Sequence, residues 1–391
     1  MTPMSRREYL RAIHARYRRS DPQQRGRILD EFCRICGYNR KYAIRLLNQP
    51  HPAAAPRLRR RRAPCYERRV IQILAAVWEA AGYPWSVRLK ALLPLWLPWI
   101  RQRYEISAPT ERQLLRISPR QMDRRLRPLK THLRRRLYGR TKPGTLLKHH
   151  IPIKTDHWDV SGPGFTEVDL VSHSGDCAEG EFAHSFNITD IHSAWTETRA
   201  VLGKGQTGIV HALEQMRQAM PFRLQGIDSD NGSEFINNHL VRYCRSRSIQ
   251  FTRGRPYKKD DNAHIEQKNW THVRKIIGWD RYDTPAAVAL LNDLYRNELG
   301  LMMNLFQPSV KLKAKQRVGS RVRRLYHPPL TPLDRLHRCA DADQTRVARL
   351  LKLRQTLDPF TLAKRIDEKL DLLAELASRP NRSPRVTSQM A

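Results

Sequence analysis

Asp169, Asp230 and Glu266 occupy three kinds of position from which carboxylates can converge on one point. Asp169 lies inside the apolar run Glu167-Val168-Asp169-Leu170-Val171, which reads as a strand, and an unpaired charge there is costly. Asp230 ends a short predicted strand and opens Asp230-Asn231-Gly232, where glycine frees the backbone to turn. Glu266 falls in a predicted helix over 262–277, whose face Glu266, Trp270 and Val273 is expected to look back at the sheet. Carboxylate oxygens suit hard cations, so the chemistry on offer is metal-dependent, with Mg²⁺ or Mn²⁺ as the matching ion. Asp228, two residues before Asp230, competes for the middle place. A calcium loop beginning at Asp228 fails, because its sixth residue must be Gly and is Ser233. Cys33 and Cys36 form a C-x-x-C with no second ligand pair near, so they read as half-buried thiols on a helix.

The acids need a scaffold. Residues 165–171, 182–190 and 195–202 are rich in β-branched and aromatic residues with turn-like stretches between them, and read as three strands in hairpin sequence. A helix over 207–220, a strand over 223–228, a helix over 233–247 and a strand over 249–252 follow, before the helix of Glu266. Three strands in meander followed by α, β, α, β and a helix is a mixed α/β sheet, similar in order to the RNase H-like fold.

Charge separates this centre from its flanks. The 391 residues hold 72 Lys and Arg against 37 Asp and Glu, a formal net charge of +35 that calls for a polyanionic partner and favours nucleic acid. Residues 1–150 carry 36 basic and 9 acidic side chains, residues 151–284 carry 16 and 18, and residues 285–391 carry 20 and 10. Basic ends hold phosphate, whereas a carboxylate-rich middle repels it unless a cation intervenes. With 40% hydrophobic residues the chain folds. Its longest apolar run, Ala91 to Ile100, is too short to span a bilayer. The N-terminal MTPMSRREYL lacks a signal-peptide pattern, and six scattered Cys make no disulfide framework, so a reducing, cytoplasmic, nucleoid-associated location is expected.

At the N-terminus, helices are predicted over 5–18 and 25–35, with Tyr9, Leu10, Ile13, Tyr17, Ile28, Leu29, Phe32 and Ile35 at helical spacing. After the turn Cys36-Gly37-Tyr38, Asn39 caps a third helix over 40–47, facing Ile44 and Leu47 inward and Arg40, Lys41 and Arg45 outward. This is a helix-turn-helix pattern, with a basic three-helix bundle as the alternative. His51 to Pro64 combines Pro, Ala and the run Arg59, Arg60, Arg61, Arg62, a linker composition suited to phosphate. A second helical unit follows over 67–138, apolar over 70–81 and 85–93, then a basic helix after Pro119 with Arg120 and Arg124. It is either a second DNA-binding unit or a charged connector.

EVDLV around Asp169, SDNGSEF around Asp230 and NAHIEQKN around Glu266 resemble the catalytic blocks of the DDE transposases and retroviral-type integrases. Thirty-five residues separate Asp230 from Glu266, that family's spacing. GYNRKYAIRLL, KPGTLLKHHIPIKT and TRGRPYKKDDNAHIEQKN resemble one bacterial insertion-sequence group with a helix-turn-helix N-terminus. The family's middle acid immediately precedes Asn-Gly, so the resemblance selects Asp230 over Asp228.

The resemblance implies a multidomain chain: an α-helical helix-turn-helix region (1–50), a basic linker (51–66), a second helical DNA-binding region (67–138), a linker (139–156), a central α/β RNase H-like integrase domain (157–284), a basic β and helical C-terminal region (285–376) and a disordered tail (377–391). It implies a DNA transposase that binds terminal repeats and cuts and joins strands. Asp169 would lie between two Mg²⁺ or Mn²⁺ ions about 4 Å apart, with Asp230 on one and Glu266 on the other. Arg253, Arg255, Lys258 and Lys259 before Glu266, and Lys268, Arg274 and Lys275 after it, are expected to hold DNA phosphates, though any one of them read singly is an ordinary solvated charge. Partners implied are double-stranded terminal and target DNA and at least a second protomer, with no membrane. The rival readings are a transposase-derived regulator without catalysis and an RNase H-like nuclease that only hydrolyses.

Overall fold

A computed structural model describes residues 1–50, 66–137, 160–177, 179–229, 238–253, 263–318 and 321–378. The chain divides into two compact units, Met1–Cys65 and Tyr66–Ala391.

In the first unit, α1 (Pro3–Arg19), α2 (Pro22–Cys36) and α3 (Arg40–Asn48) begin at the caps Thr2, Asp21 and Asn39, each accepting a hydrogen bond from a backbone N–H that the first turn leaves unpaired. Gly37 ends α2 in the left-handed conformation at φ 64°, which makes the turn into α3. Leu10, Ile13, Tyr17, Ile28, Leu29, Phe32, Cys36, Ala43 and Leu47 form one apolar core. Ile35, expected inside, is 40% exposed, and Ala43 fills the inner face of α3 instead.

The second unit opens with α4 (Arg68–Ala80), α5 (Ser86–Tyr104), α6 (Ala108–Arg116) and α7 (Pro119–Leu137). These helices share one core with the rest of the unit. Helix α5 is apolar on most of its circumference and is correspondingly buried: Leu89, Leu92, Leu93, Trp96 and Ile100 are all sealed from solvent. The ring of Trp96 lies 5.1 Å from Phe360 and 6.5 Å from Phe306, so the apolar stretch over 85–99 finds its core within its own unit, with Trp85 left exposed.

The central sheet holds β1 (Phe165–Ser172), β2 (Ala183–Asp190), β3 (Thr196–Leu202), β4 (Gly226–Ser229) and β5 (Gln250–Arg253) in the order β3-β2-β1-β4-β5. The first three pair antiparallel, while β4 pairs parallel to β1 and β5 parallel to β4. Helix α8 (Gln206–Ala219) makes the crossover from β3 to β4 and α9 (Asn238–Ser246) precedes β5. This is the RNase H-like sheet that the element order predicts. Strand β4 begins at Gly226 rather than Arg223, because the Gln225 N–H is drawn to Gly164 O at 2.8 Å in the connection ahead of β1.

One face of the sheet packs apolar side chains such as Val168, Phe186, Ile188 and Ile227. The opposite face is polar and covered: Glu167 and Asp169 of β1, Ser185, Asn187 and Thr189 of β2, and Thr196 and Thr198 of β3 share it through the register. Its cover is a run of helix made of α10 (Ala263–Lys268), a π-helical turn (Asn269–Arg274) and α11 (Lys275–Ile277), then α12 (Pro285–Leu294) and further π turns Tyr295–Leu299 and Met302–Phe306. Buried polar groups on this face pair with one another: Thr189 with Thr196 at 3.1 Å, and Ser185 with the Tyr295 hydroxyl at 2.6 Å.

Strand β3 is the outer strand on this side, and side chains occupy its free backbone. Asn292 receives the Ala200 N–H at 2.9 Å and donates to Ala200 O at 2.8 Å, and Asn304 does the same for Thr196 at 3.0 and 2.8 Å. Thr198 O takes a guanidinium N–H of Arg199 at 2.7 Å. Beyond the sheet, β6 (Leu312–Val318) and β7 (Arg321–Tyr326) form a small basic hairpin, and α13 (Pro332–His337), α14 (Gln344–Thr356) and α15 (Pro359–Glu375) complete the unit. No helix among the described residues is long and apolar enough to cross a membrane. The linker over 139–156 and the tail from 379 lie outside the described residues.

Candidate active site

Asp169 stands on the central strand with β2 on one side and β4 on the other. Its Oδ2 accepts from Asn269 Nδ2 at 2.5 Å and its Oδ1 from the Leu170 N–H at 2.8 Å. Asn269 lies one turn beyond Glu266, so this bond fastens the helix of the third acid to the strand of the first. The amide of Asn269 is oriented in turn. Asn187 Nδ2 on β2 donates to Asn269 Oδ1 at 2.5 Å, and Thr198 Oγ1 on β3 donates to Asn187 Oδ1 at 2.7 Å. A chain of four side chains, Thr198, Asn187, Asn269 and Asp169, therefore crosses three strands and a helix, with every amide assigned a direction by its neighbour.

Glu167, two residues before Asp169 on the same face, is 2% exposed, and its Oε2 accepts the Ile265 N–H at 2.8 Å. Ile265 belongs to the first turn of α10, where N–H groups lack intrahelical partners. A buried carboxylate thus fixes the start of the helix, and Asn269 fixes its next turn. Sequence reading missed Glu167, Asn187 and Asn269. The period-2 alternation of β1 already placed Glu167 on the face of Asp169, and that signal marks it.

The helix presents its faces otherwise than expected. Ile265, Lys268, His272 and Val273 are buried and Asn269 bonds to the sheet, whereas Glu266 is exposed and Trp270 is 41% exposed. Of the face Glu266, Trp270 and Val273, only Val273 looks inward, because the inward stripe is set by Ile265, Asn269 and Val273. Glu266 and Trp270 share the outer face.

Asp230 lies outside the described residues; it follows directly on Ser229, which pairs with Val168 next to Asp169. Asp228 is half-buried one position back in register, opposite Glu167, and its Oδ1 accepts from Thr252 Oγ1 at 2.8 Å. No group of three His, Cys, Asp or Glu poised for a metal forms among the described residues, which exclude Asp230. The three acids expected from the sequence, Asp169, Asp230 and Glu266, would offer carboxylate oxygens alone, the chemistry that fits Mg²⁺ or Mn²⁺ and not a thiolate- or imidazole-preferring ion.

The expected DNA contacts divide by placement. Arg40, Lys41 and Arg45 are exposed on α3, where Arg40 pairs with Asp30 and Arg45 lies over the Tyr42 ring at 5.0 Å. Arg120 and Arg124 are exposed on α7. Arg274 is half-buried with its guanidinium 4.0 Å from the Trp279 ring centroid, and Lys275 donates to Gly82 O at 2.7 Å. Lys268 is 8% exposed, and burial beside the cations Arg88 and Arg335 lowers its amine to about 7. That position turns it away from the outer face of Glu266. Arg253 ends β5, while Arg59, Arg60, Arg61, Arg62, Arg255, Lys258 and Lys259 lie outside the described residues.

Known proteins resembling the chain fall into two groups. Among solved structures, the catalytic core of HTLV-2 integrase in complex with magnesium is 13% identical, with a TM-score of 0.29 over 38% of this chain and 90% of that one. The catalytic core of BIV integrase is 14% identical, with a TM-score of 0.28 over 44% and 93%. A simian T-cell lymphotropic virus intasome chain, solved in complex with PP2A regulatory subunit B56 gamma, is 12% identical, with a TM-score of 0.32 over 54% and 68%. The fold assignment rests on strand order and pairing and not on these scores. No family model matches the chain. In sequence, the uncharacterized protein y4rM of Sinorhizobium fredii is 39% identical over 334 residues, spanning 85% of this chain and 95% of that protein. At that identity and coverage, the chain belongs to the family of y4rM.

Proposed function

We propose that this protein is a DNA transposase: it binds the terminal repeats of a mobile element, cuts them and joins them to target DNA at Asp169, Asp230 and Glu266. The observation that carries this reading is the Asn269–Asp169 hydrogen bond, which docks the helix of Glu266 on the strand of Asp169, beside the strand that leads into Asp230. The helix that carries Glu266 is thereby fastened to the polar face that carries Asp169, with Glu266 itself on the exposed side of that helix.

Asp169, Asp230 and Glu266 hold the divalent ions in this reading. Divalent ions held by these carboxylates would supply activation of a water or 3′-hydroxyl and charge stabilisation at the leaving oxygen of an in-line displacement at phosphorus. Asn269 holds Asp169 in one orientation, Asn187 holds Asn269, and Glu167 holds the helix start. The exposed basic residues of α3 position terminal DNA, and those beyond Glu266 with an open side chain position its phosphates. Two ends must be joined, so the working species is at least a dimer bridging two DNAs.

The test uses the full chain and duplexes carrying the DNA that brackets its gene. Mg²⁺-dependent nicking at the repeat boundary, followed by joining to a second duplex, is expected for the wild type and absent from Asp169→Asn. Binding without nicking in Mg²⁺ or Mn²⁺ identifies a regulator, and nicking without joining identifies a hydrolase.

A further inference from the structure

On the side of its helix turned away from Glu266, Lys268 is 8% exposed and makes no hydrogen bond or ion pair among the described residues. Residues two apart on a helix point about 200° from each other, so a strand acted on at Glu266 does not reach this amine. The charges that act on it most are Arg88 of α5 and Arg335 of α13, both positive. Arg88 is half-buried, and among the described residues only its Nε has an acceptor, Pro308 O at 2.5 Å. Next along the chain, Ser309 takes the Arg335 guanidinium on its carbonyl and hydroxyl oxygens, and Ser193 O accepts from the same group at 2.9 Å. Lys311 donates to His192 O. Neighbouring carbonyls of 192–193 and 308–309 thus gather the cations into one cluster around Lys268.

Four cations drawn together inside one unit, none paired with a carboxylate among the described residues, are costly to keep charged. Asp334 acts on Arg335 and Asp190 on Lys311, but both acids are engaged elsewhere. Asp334 pairs with Arg354 at 2.7 Å, and Asp190 accepts the N–H groups of Gly164 and Ser193 at 2.8 and 2.6 Å. Carbonyl oxygens satisfy donors without cancelling charge, and the Lys268 amine and the terminal nitrogens of Arg88 lack even those. Open guanidinium and ammonium donors match the oxygens of a tetrahedral oxyanion. The charge favours a di- or triphosphate, which carries several negative charges on one small frame, over a single carboxylate. Burial points the same way: a duplex backbone meets exposed side chains such as those of α3 and α7, whereas a donor more than nine-tenths buried suits a small anion.

We infer that Arg88, Lys268, Lys311 and Arg335 form a binding site for a small phosphate-class polyanion, either free pyrophosphate or the phosphate chain of a nucleotide, which ties α5 and α13 to the helix of Glu266. The inference goes beyond the transposase reading and stands whether or not the chain cuts DNA.

The test titrates pyrophosphate into the DNA-free full chain by calorimetry, with EDTA present so that no divalent ion bridges the ligand to the carboxylates. One saturable site per chain is expected, with a rise in the thermal midpoint. Lys268→Met keeps the side-chain length and removes its charge, and should weaken binding roughly tenfold or more, as should Arg88→Gln. Lys268→Arg should recover most of the affinity. If Lys268→Met does not fold, Arg88→Gln alone decides. Arg120→Ala with Arg124→Ala, on exposed α7, should bind as the wild type does. Tighter binding of ATP than of pyrophosphate makes a nucleotide the ligand, and equal binding makes it the phosphate chain alone; both uphold the site. No saturable binding of either ligand to the wild type would overturn the inference. So would unchanged binding in Lys268→Met and Arg88→Gln, or an equal loss in the α7 variant, since either reduces the effect to the general attraction of a basic protein. One-for-one competition by a short duplex would give the cluster to a backbone phosphate and overturn it as well.

Discussion

At the scale of single residues, the three acids and their supports make different claims. Asp169→Asn, Asp230→Asn and Glu266→Gln keep shape and remove charge, so each should lower Mg²⁺-dependent cleavage by about a thousandfold or more while terminal-DNA binding persists. Asp228→Asn should keep substantial activity, because Asp228 is already engaged by Thr252. A dead Asp228→Asn beside an active Asp230→Asn would reverse the middle assignment. Asn269→Ala removes the amide that orients Asp169, and losses of this supporting kind run to roughly 10- to 100-fold in activity or metal affinity. Steady-state rates across a Mg²⁺ titration separate it from the acids, since excess metal should recover part of the loss for Asn269→Ala only. Asp169 stands out in the sequence because a charge inside an apolar strand is anomalous, whereas the choice of Asp230 over Asp228 came from the resemblance. Asn187 and Asn269 do not stand out, since an amide on a strand or helix is ordinary until its partner across the sheet is known.

At the scale of elements, the start of the helix that carries Glu266 depends on Glu167. Replacing it with Ala strands the buried Ile265 N–H and should cost about 1–3 kcal/mol in urea unfolding, with Glu167→Gln much milder because its amide oxygen still accepts. The polar face of the sheet also sets a pH dependence. Burial, with the Arg274 and His184 charges adding to it, lowers His173 to about 3, and burial beside Lys268 and Arg88 lowers His272 well below its usual 6.5. Both stay neutral in the native state while the unfolded chain takes up protons near 6.5. Stability is therefore full above about pH 6.5 and falls below it, by roughly 1.4 kcal/mol per pH unit for each histidine, down to about 3 for His173. Denaturant midpoints measured between about pH 7 and 5 should show this slope, and His173→Gln should flatten it. In the first unit, α3 keeps Ala43 and Leu47 inside and its basic residues outside. Neutralising Arg40, Lys41 and Arg45 together should then reduce discrimination between terminal and random DNA, as competition binding reads it; an equal loss on both would make α3 a phosphate clamp. Helix spacing and caps were readable here. The reversal of the Glu266 face was not, because an exposed Trp and a buried Lys on one helix invert the usual hydrophobic assignment.

At the scale of the whole molecule, the chain divides between Cys65 and Tyr66. Charge density marked the first 150 residues as one block, yet packing joins α4–α7 to the central sheet and the C-terminal helices through Trp96, Phe306 and Phe360. Composition cannot show this, since the partners of Trp96 lie more than 200 residues away in sequence. Chains of residues 1–65 and 66–391 should each melt cooperatively, and a chain starting at residue 151 should expose the surfaces of Phe306 and Phe360 and fail to. A cooperative melt from that shorter chain would show that the helices are an accessory rather than part of the fold.

The amides of Asn292 and Asn304 have a consequence for how copies of this protein can meet. A sheet grows by lending unsatisfied backbone to a newcomer, and the rim at β3 has none to lend at Thr196 or Ala200. Two protomers therefore cannot fuse their sheets there into one ribbon, and any partnership between copies must run through other surfaces. The two asparagines act as a stopper against edge-to-edge polymerisation. Asn292→Ala with Asn304→Ala should uncork that rim: light scattering of the DNA-free protein should rise with concentration in the double variant and stay flat in the wild type.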